Sequence, residues 1–155
     1  MQEFKPVVFR IGEQTFGVDI NYVCGIENVI NIVPIPNANR HIKGIINLRG
    51  NVIPLFSLRS KFNMEPRPYD ENTKFIITRV DGVFLAIEVD GVEEIQNVTN
   101  DMIQSIPKLV QSEETNYAEK VLNVKGKLII IIDVCNLLNE QEMQNITDLI
   151  QDMRS

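Results

Sequence analysis

The sequence is poor in the residues that carry chemistry. It holds one histidine and two cysteines in 155 residues. The histidine, His41, sits among Asn39, Arg40, Ile42 and Lys43. None of these is the nucleophile or carboxylate that an acid–base histidine needs beside it, so it reads as a surface-loop residue. Cys24 and Cys135 lie far apart, with neither metal-ligand spacing nor a disulfide framework around them. They read as buried thiols of a reducing cytoplasm. No cluster of His and Cys offers a zinc or iron site. Gly12, Gly44 and Gly50 stand singly, not in a phosphate-binding loop. No catalytic residue, metal or cofactor is expected.

Other absences limit the partners. Lysine and arginine form no run, and the formal net charge is -6. Such a field repels a phosphate backbone, which argues against nucleic acid. The longest apolar run, Leu128 to Ile132, is too short to cross a bilayer and reads as a buried strand. Residues Met1 to Pro6 show no basic segment followed by an apolar one, so no signal peptide is expected. Without one, the tripeptides at Asn97 and Asn145 that match a glycosylation acceptor read as chance. What the chain does have, 44% hydrophobic and 23% charged residues, is the balance of a soluble globular protein.

Short strands dominate the pattern. Val7 to Ile11 and Thr15 to Ile20 flank Gly12-Glu13 as a hairpin. Tyr22 to Ile30 carries apolar residues that fit a short helix passing into a strand. Ile42 to Leu48 and Val52 to Phe56 flank a tight turn at Arg49-Gly50-Asn51. Asn63 to Thr73 holds two prolines and several charges and reads as an exposed loop. Phe75 to Val80 and Val83 to Val89 then enclose Asp81-Gly82, a strong hairpin turn. Val92 to Val98 is a weakly alternating strand. Val121 to Val124 and Leu128 to Ile132 enclose Lys125-Gly126-Lys127. At the C-terminus, Asn139 and Glu142 form a capping box ahead of Met143, Ile146, Leu149, Ile150 and Met153 at helical spacing. That predicts an amphipathic helix over 139–154, facing either the β body or a partner.

The pattern is also duplicated. Residues 7–29 overlay 76–98 at an offset of 69, and residues 46–58 overlay 122–134 at an offset of 76. The matches include turn residues and charges, so they exceed the likeness of any two Val- and Ile-rich strands. The seven extra residues of the second copy are expected in the polar stretch 105–116. Each copy of about five strands is too small to bury a core alone. The expected fold is therefore mostly β: two small barrels, 13–80 and 81–138, packed along an apolar seam. The strand at 7–11 is not assigned to either barrel.

One block is long and ordered enough to identify. It comprises Phe16-Gly17-Val18-Asp19-Ile20, Val23, Ile26, Val33-Pro34, the run Ile42-Lys43-Gly44-Ile45-Ile46-Asn47-Leu48-Arg49-Gly50-Asn51-Val52-Ile53-Pro54-Leu55, and Val89-Asp90-Gly91-Val92. It resembles the CheW family of bacterial chemotaxis coupling proteins. The resemblance implies two SH3-like five-stranded barrels and a non-catalytic adaptor. The implied partners are the cytoplasmic tips of methyl-accepting chemoreceptors and the regulatory domain of the histidine kinase CheA. It also implies a cytoplasmic protein held in receptor arrays at the inner face of the membrane, without inserting into it. For receptor binding it points to Val23, Ile26, Gly44, Asn47, Leu48, Arg49 and Gly50. Gly44 and Gly50 would let another chain approach closely.

Three further expectations concern single sites. The family commonly has glutamate where this chain has Gly25, which leaves Arg49 without a local acid or with a different partner. Pro54 falls inside a strand-like run, where proline belongs at an edge or bulge. Such an edge, with Val52, is the expected kinase-docking site. The second copy has Ile130 there. The alternatives are a β-barrel module binding a peptide or oligosaccharide outside chemotaxis, and a minor hydrolase using paired acids such as Asp90 and Glu94.

Overall fold

The computed structural model describes residues 5–36, 40–95, 97–107 and 117–137. The helix expected over 139–154 lies outside the described residues. The chain is mostly β, in two sheets. Its strands are β1 (Pro6–Ile11), β2 (Gln14–Asp19), β3 (Val23–Asn28), β4 (Ile42–Leu48), β5 (Asn51–Ser57), β6 (Lys74–Val80), β7 (Val83–Val89), β8 (Gly91–Ile95), β9 (Ile103–Ser105), β10 (Ala118–Val124) and β11 (Lys127–Ile132). A single turn of helix, α1 (Leu58–Lys61), follows β5. Between β2 and β3 a 3₁₀ turn over Ile20–Tyr22 is capped by the Asp19 carboxylate, which accepts the Asn21 N–H at 3.0 Å.

The five-stranded sheet runs β3-β6-β7-β5-β4 and the six-stranded sheet β8-β1-β2-β11-β10-β9. Under the two offsets these orders are the same. β3, β6, β7, β5 and β4 correspond in turn to β8, β1, β2, β11 and β10. The registers agree residue by residue. Phe9 faces Phe16 as Thr78 faces Leu85. The parallel pair Ile131–Gly17 repeats Leu55–Ala86. Even the register shift between Ile42 and Gly44 recurs between Ala118 and Lys120. The duplication is thus structural, and the extra residues of the second copy fall between β8 and β10. There the second copy pairs β9 with β10, where the first has a lone bridge from Val33 to Ile45.

Sheet membership does not divide the chain into 13–80 and 81–138. The hairpin β1–β2 belongs to the sheet of β8, β10 and β11, and the hairpin β6–β7 to the sheet of β3, β4 and β5. The copies have exchanged their first hairpins. The strand left unassigned, β1, pairs with both β2 and β8. The physical reason lies in the alternation of strand side chains, which gives each exchanged strand two apolar faces to bury. On β1, Val7, Phe9 and Ile11 enter a core shared by both sheets, while Val8 enters the core of its own sheet. On β6 and β7, Ile76, Leu85, Ile87 and Val89 enter the shared core; Phe75, Ile77 and Ala86 enter the core of their own sheet. Phe9, Phe16 and Phe62 stack across the seam with centroids 6.0 and 5.1 Å apart.

One polar group is buried beside this seam. Asp90, 7% exposed, links β7 to β8. It accepts the Gly12 N–H at 2.6 Å, Arg59 Nε at 3.1 Å and Arg59 Nη2 at 2.5 Å. Arg67 approaches it at 3.5 Å. Burial pushes the Asp90 carboxyl up, but the Arg59 hydrogen bonds, the Gly12 N–H and the two guanidinium charges outweigh it, and the net shift is below the ordinary carboxylate value. The strand-end turn of β1–β2, α1 and the β7–β8 junction are therefore clamped together.

Asp90→Asn should destabilise the fold by about 3 kcal/mol, because it strands a largely buried guanidinium. A depressed native carboxyl contributes its full stability above its unfolded value, near pH 3.9, and loses it as pH falls through the native value. Urea unfolding between pH 7 and pH 3 should show a smaller acid loss in Asp90→Asn than in the wild type. Equal acid losses would remove Asp90 as the source.

Candidate interaction surface

The surface is built by the β4–β5 turn and by β3, the two opposite ends of the five-stranded sheet. Arg49 and Gly50 both have positive φ, 52° and 88°, the geometry of a two-residue hairpin turn. Asn47 fixes the turn by accepting the Gly50 N–H at its Oδ1, 3.0 Å away. Lys125, Gly126 and Asn123 repeat this arrangement in the second copy, with φ of 53° and 87° and the same 3.0 Å bond. The turn lifts the Arg49 side chain into solvent, 78% exposed.

Arg49 does have a local acid. Its Nη2 lies 3.4 Å from Glu27 Oε1 on β3. Residues 25 and 27 share one strand face, and a Cβ built at Gly25 would lie 3.7 Å from that same oxygen. Glu27 thus occupies the space above Gly25 and places a carboxylate where the family's glutamate would start. The pair joins the two end strands of the sheet. Sequence reading missed Glu27; the shared strand face was the signal that could have found it. On the opposite face Ile26 is 41% exposed, and beyond β3 Val29 and Val33 are 41% and 53% exposed.

The other expected site residues separate. Val23 is half-buried and packs on the shared core. Leu48 is half-buried on the core of the five-stranded sheet. Gly44 is buried, at φ 155°, and a Cβ there would strike the Val33 carbonyl oxygen. The chain that approaches Gly44 closely is therefore its own, at the Val33–Ile45 bridge, where both N–H to O distances are 2.9 Å. Nothing lies within 4 Å of a Cβ at Gly50, which is open.

Pro54 is not at an edge. It is buried in β5, which lies between β7 and β4. Proline is tolerated there because it faces Ile45, whose N–H and C=O are turned away to Val33. Pairing of β5 with β7 begins only at Leu55, so no partner waits for the missing N–H. Val52 is half-buried at the start of the strand.

Three more corrections concern the rarer side chains. His41 is buried, 6% exposed, with Nδ1 2.8 Å from Ser60 Oγ and its ring against Phe56. Cys24 and Cys135 are exposed thiols, not core residues. Burial and the neighbouring Asp133 carboxylate push the Cys135 thiol up. Of the acids, Glu88 is buried and held by Lys43, at 2.8 Å, and by the Tyr69 hydroxyl, which donates to it. Burial, and then that bond, push the Tyr69 hydroxyl up. Asp90 and Glu88 are thus spent on structural partners. Among the described residues no three His, Cys, Asp or Glu side chains gather as metal ligands would.

Comparison with known proteins gives a consistent result. A family model described as a CheW-like domain matches residues 5–142. The chemotaxis protein CheW of Klebsiella aerogenes is 32% identical over 142 residues, covering 92% of this chain and 84% of its own length. The chemotaxis protein CheW of Treponema pallidum is 28% identical over 152 residues, covering 96% and 89%. Among solved structures, the scaffolding protein TtCheW of Thermoanaerobacter tengcongensis superposes with a TM-score of 0.79 at 32% identity, covering 86% of this chain and 90% of that one.

Gly44→Ala should cost about 1–3 kcal/mol, since the new methyl forces Val33 away from β4. The amides of Val33 and Ile45 should lose hydrogen-exchange protection before those of β6 and β7. Unchanged protection at both would show that the bridge tolerates a side chain.

Proposed function

The chain belongs to the CheW-like domain family, and on that premise we propose that it is a non-catalytic adaptor coupling chemoreceptor tips to the histidine kinase CheA. The family match across residues 5–142 carries this reading. It gives no support to the alternative of a peptide- or oligosaccharide-binding module outside chemotaxis. The receptor contact is assigned to the Arg49 turn and to β3 at Ile26. A receptor tip is a helical hairpin, and a helix face docks on apolar side chains while a few polar groups fix its register. Ile26 supplies exposed apolar surface. Arg49 supplies a planar donor fork that can take a partner carboxylate.

The candidate residues then act in different ways. Ile26, Asn47, Arg49 and Gly50 meet the receptor directly. Val23 and Leu48 support them from the half-buried layer beneath, and Gly44 sets the path of β4. Of the two kinase-docking candidates on β5, Val52 keeps surface, because Pro54 is inside. The expected site of action is the receptor array at the inner face of the membrane. No helix among the described residues is long and apolar enough to cross that membrane.

Arg49→Ala should leave thermal unfolding nearly unchanged and weaken binding to a receptor signalling fragment about tenfold, the worth of one charge-assisted hydrogen bond. Glu27→Gln should keep binding within a few-fold, because it frees Arg49 for the partner. Titration by isothermal calorimetry checks both, and equal affinity of Arg49→Ala and wild type would exclude the turn as the contact. For the kinase, titration with the CheA regulatory domain should shift amide resonances around Val52. Shifts confined to β8–β10 would move that site to the other sheet.

A further inference from the structure

Neither half of the chain can complete a sheet. The first half, β1 to β5, gives three strands to the five-stranded sheet and two to the six-stranded one. The second half, β6 to β11, supplies the rest. Four strand pairings join the halves: β1–β8, β2–β11, β3–β6 and β5–β7. The shared core draws on both, with Phe9, Val18 and Phe56 from one half and Ile76, Ile87 and Ile132 from the other. The halves are interlocked, yet only one stretch of backbone, residues 58–73, connects them.

That connection is anchored at its ends and loose in the middle. On the first side, Leu58 is fully buried, Arg59 is clamped to Asp90, and the Met64 N–H reaches the Arg59 carbonyl at 2.7 Å. On the second side, Tyr69 is held by Glu88, and the Asp70 carboxylate accepts the Asn72 N–H at 2.8 Å. Between them Glu65, Pro66, Arg67 and Pro68 are all exposed. They are held by an Arg59 bond to the Glu65 carbonyl at 2.9 Å, and by Arg67 to Asp70 at 3.0 Å and to Asp90 at 3.5 Å. None of the four lies in an apolar core. Two prolines in four residues keep the stretch extended and oppose a tight reversal.

We propose that a second copy of this chain is a partner, through reciprocal exchange of halves across residues 65–68. The first half of one copy completes its sheets with the second half of the other, and the reverse. All four pairings, all three cores and the Arg59–Asp90 clamp recur in each unit, because each of these lies outside the linker. Only the route of four exposed residues changes, which is the condition under which exchange costs little. The product carries two complete coupling surfaces on one particle. It would engage paired receptor tips with the gain of a tethered second binding event. Return to monomer requires opening both sheets, so the two forms interconvert slowly. The inference rests on the strand topology alone and is independent of which partners the surface binds.

Deletion of residues 65–68 in the full chain tests it, since the shortened connection can no longer span from the Met64 anchor to the Tyr69 anchor within one unit. The variant should elute and scatter light at twice the monomer mass, with the wild-type circular dichroism spectrum. A folded monomer would overturn the proposal. Should the variant not fold, the wild-type chain decides: two differently dye-labelled samples are mixed, unfolded, and refolded together at high concentration. Energy transfer that persists after dilution, and is absent when the samples are mixed without unfolding, is the expected result. Refolding to monomer alone would overturn it.

Discussion

Two hairpins in this chain have no solvent face. β1–β2 and β6–β7 each present apolar side chains on both sides, one set to the core of a single sheet and the other to the seam between sheets. Period-two alternation makes this unavoidable for strands as apolar as Val7 to Ile11 or Leu85 to Val89. Each hairpin must be sandwiched, and the free energy of removing both faces from water is available only in the middle of the molecule. The remaining strands arrange themselves around that requirement. They wrap the outer face of each hairpin, and since the hairpins meet back to back, neither sheet can form without the other.

Charge secures one end of this arrangement. The Asp90 clamp ties the Gly12 turn, α1 and the β7–β8 junction through Arg59. The duplicated positions hold Asn21 in place of Asp90 and Cys135 in place of Arg59. At the second end Asp133 accepts the Cys135 N–H at 3.0 Å, and Ser57 plays the matching part at α1. A buried ion pair is poor evidence of net stability. Its presence at one of two equivalent places is better read as fixing a geometry. It holds the exit of β5 into the 58–73 crossing.

Much of this was legible before any coordinates. Turn residues, offsets and strand limits follow from local rules: Asp81-Gly82 and Arg49-Gly50 sit where a hairpin needs positive φ, and alternation marks the strands. The repeat offsets of 69 and 76 describe the observed registers. What was illegible is everything set by non-local pairing. No pattern within β1 says that it joins β8, because the two copies are interchangeable to the hairpin's own sequence; connection length and packing decide. Pro54 misled for the same reason. Proline excludes one hydrogen bond, and an edge is only one of the places where that bond is not needed. Among site residues, Arg49 and Asn47 could be read from the turn, while Glu27 required knowing that β3 and the β4–β5 turn meet.

The Arg49 turn and its duplicate show how binding can diverge on a fixed frame. Lys125-Gly126 has the same φ values and the same asparagine bond as Arg49-Gly50, so the backbone there is a property of the duplication. The surroundings differ. Beside Arg49 stands a single carboxylate, Glu27, which fills the space above Gly25, while Ile26 is exposed on the other face of β3. On the strand equivalent to β3, Glu93 and Glu94 stand where β3 has Cys24 and Gly25, and Glu93 reaches Lys127 at 3.6 Å and Arg10 at 3.8 Å. At that end a carboxylate is paired with two cations of its own chain; at the β3 end one cation is held on a weak surface pair that a partner carboxylate can replace at small cost, and Ile26 is exposed on the same strand. A strand edge carrying adjacent carboxylates discourages a neighbouring chain more than one carrying a single carboxylate and an exposed apolar side chain. Two surfaces built from one backbone pattern thus differ in what they admit, and an adaptor with two unlike partners requires that difference.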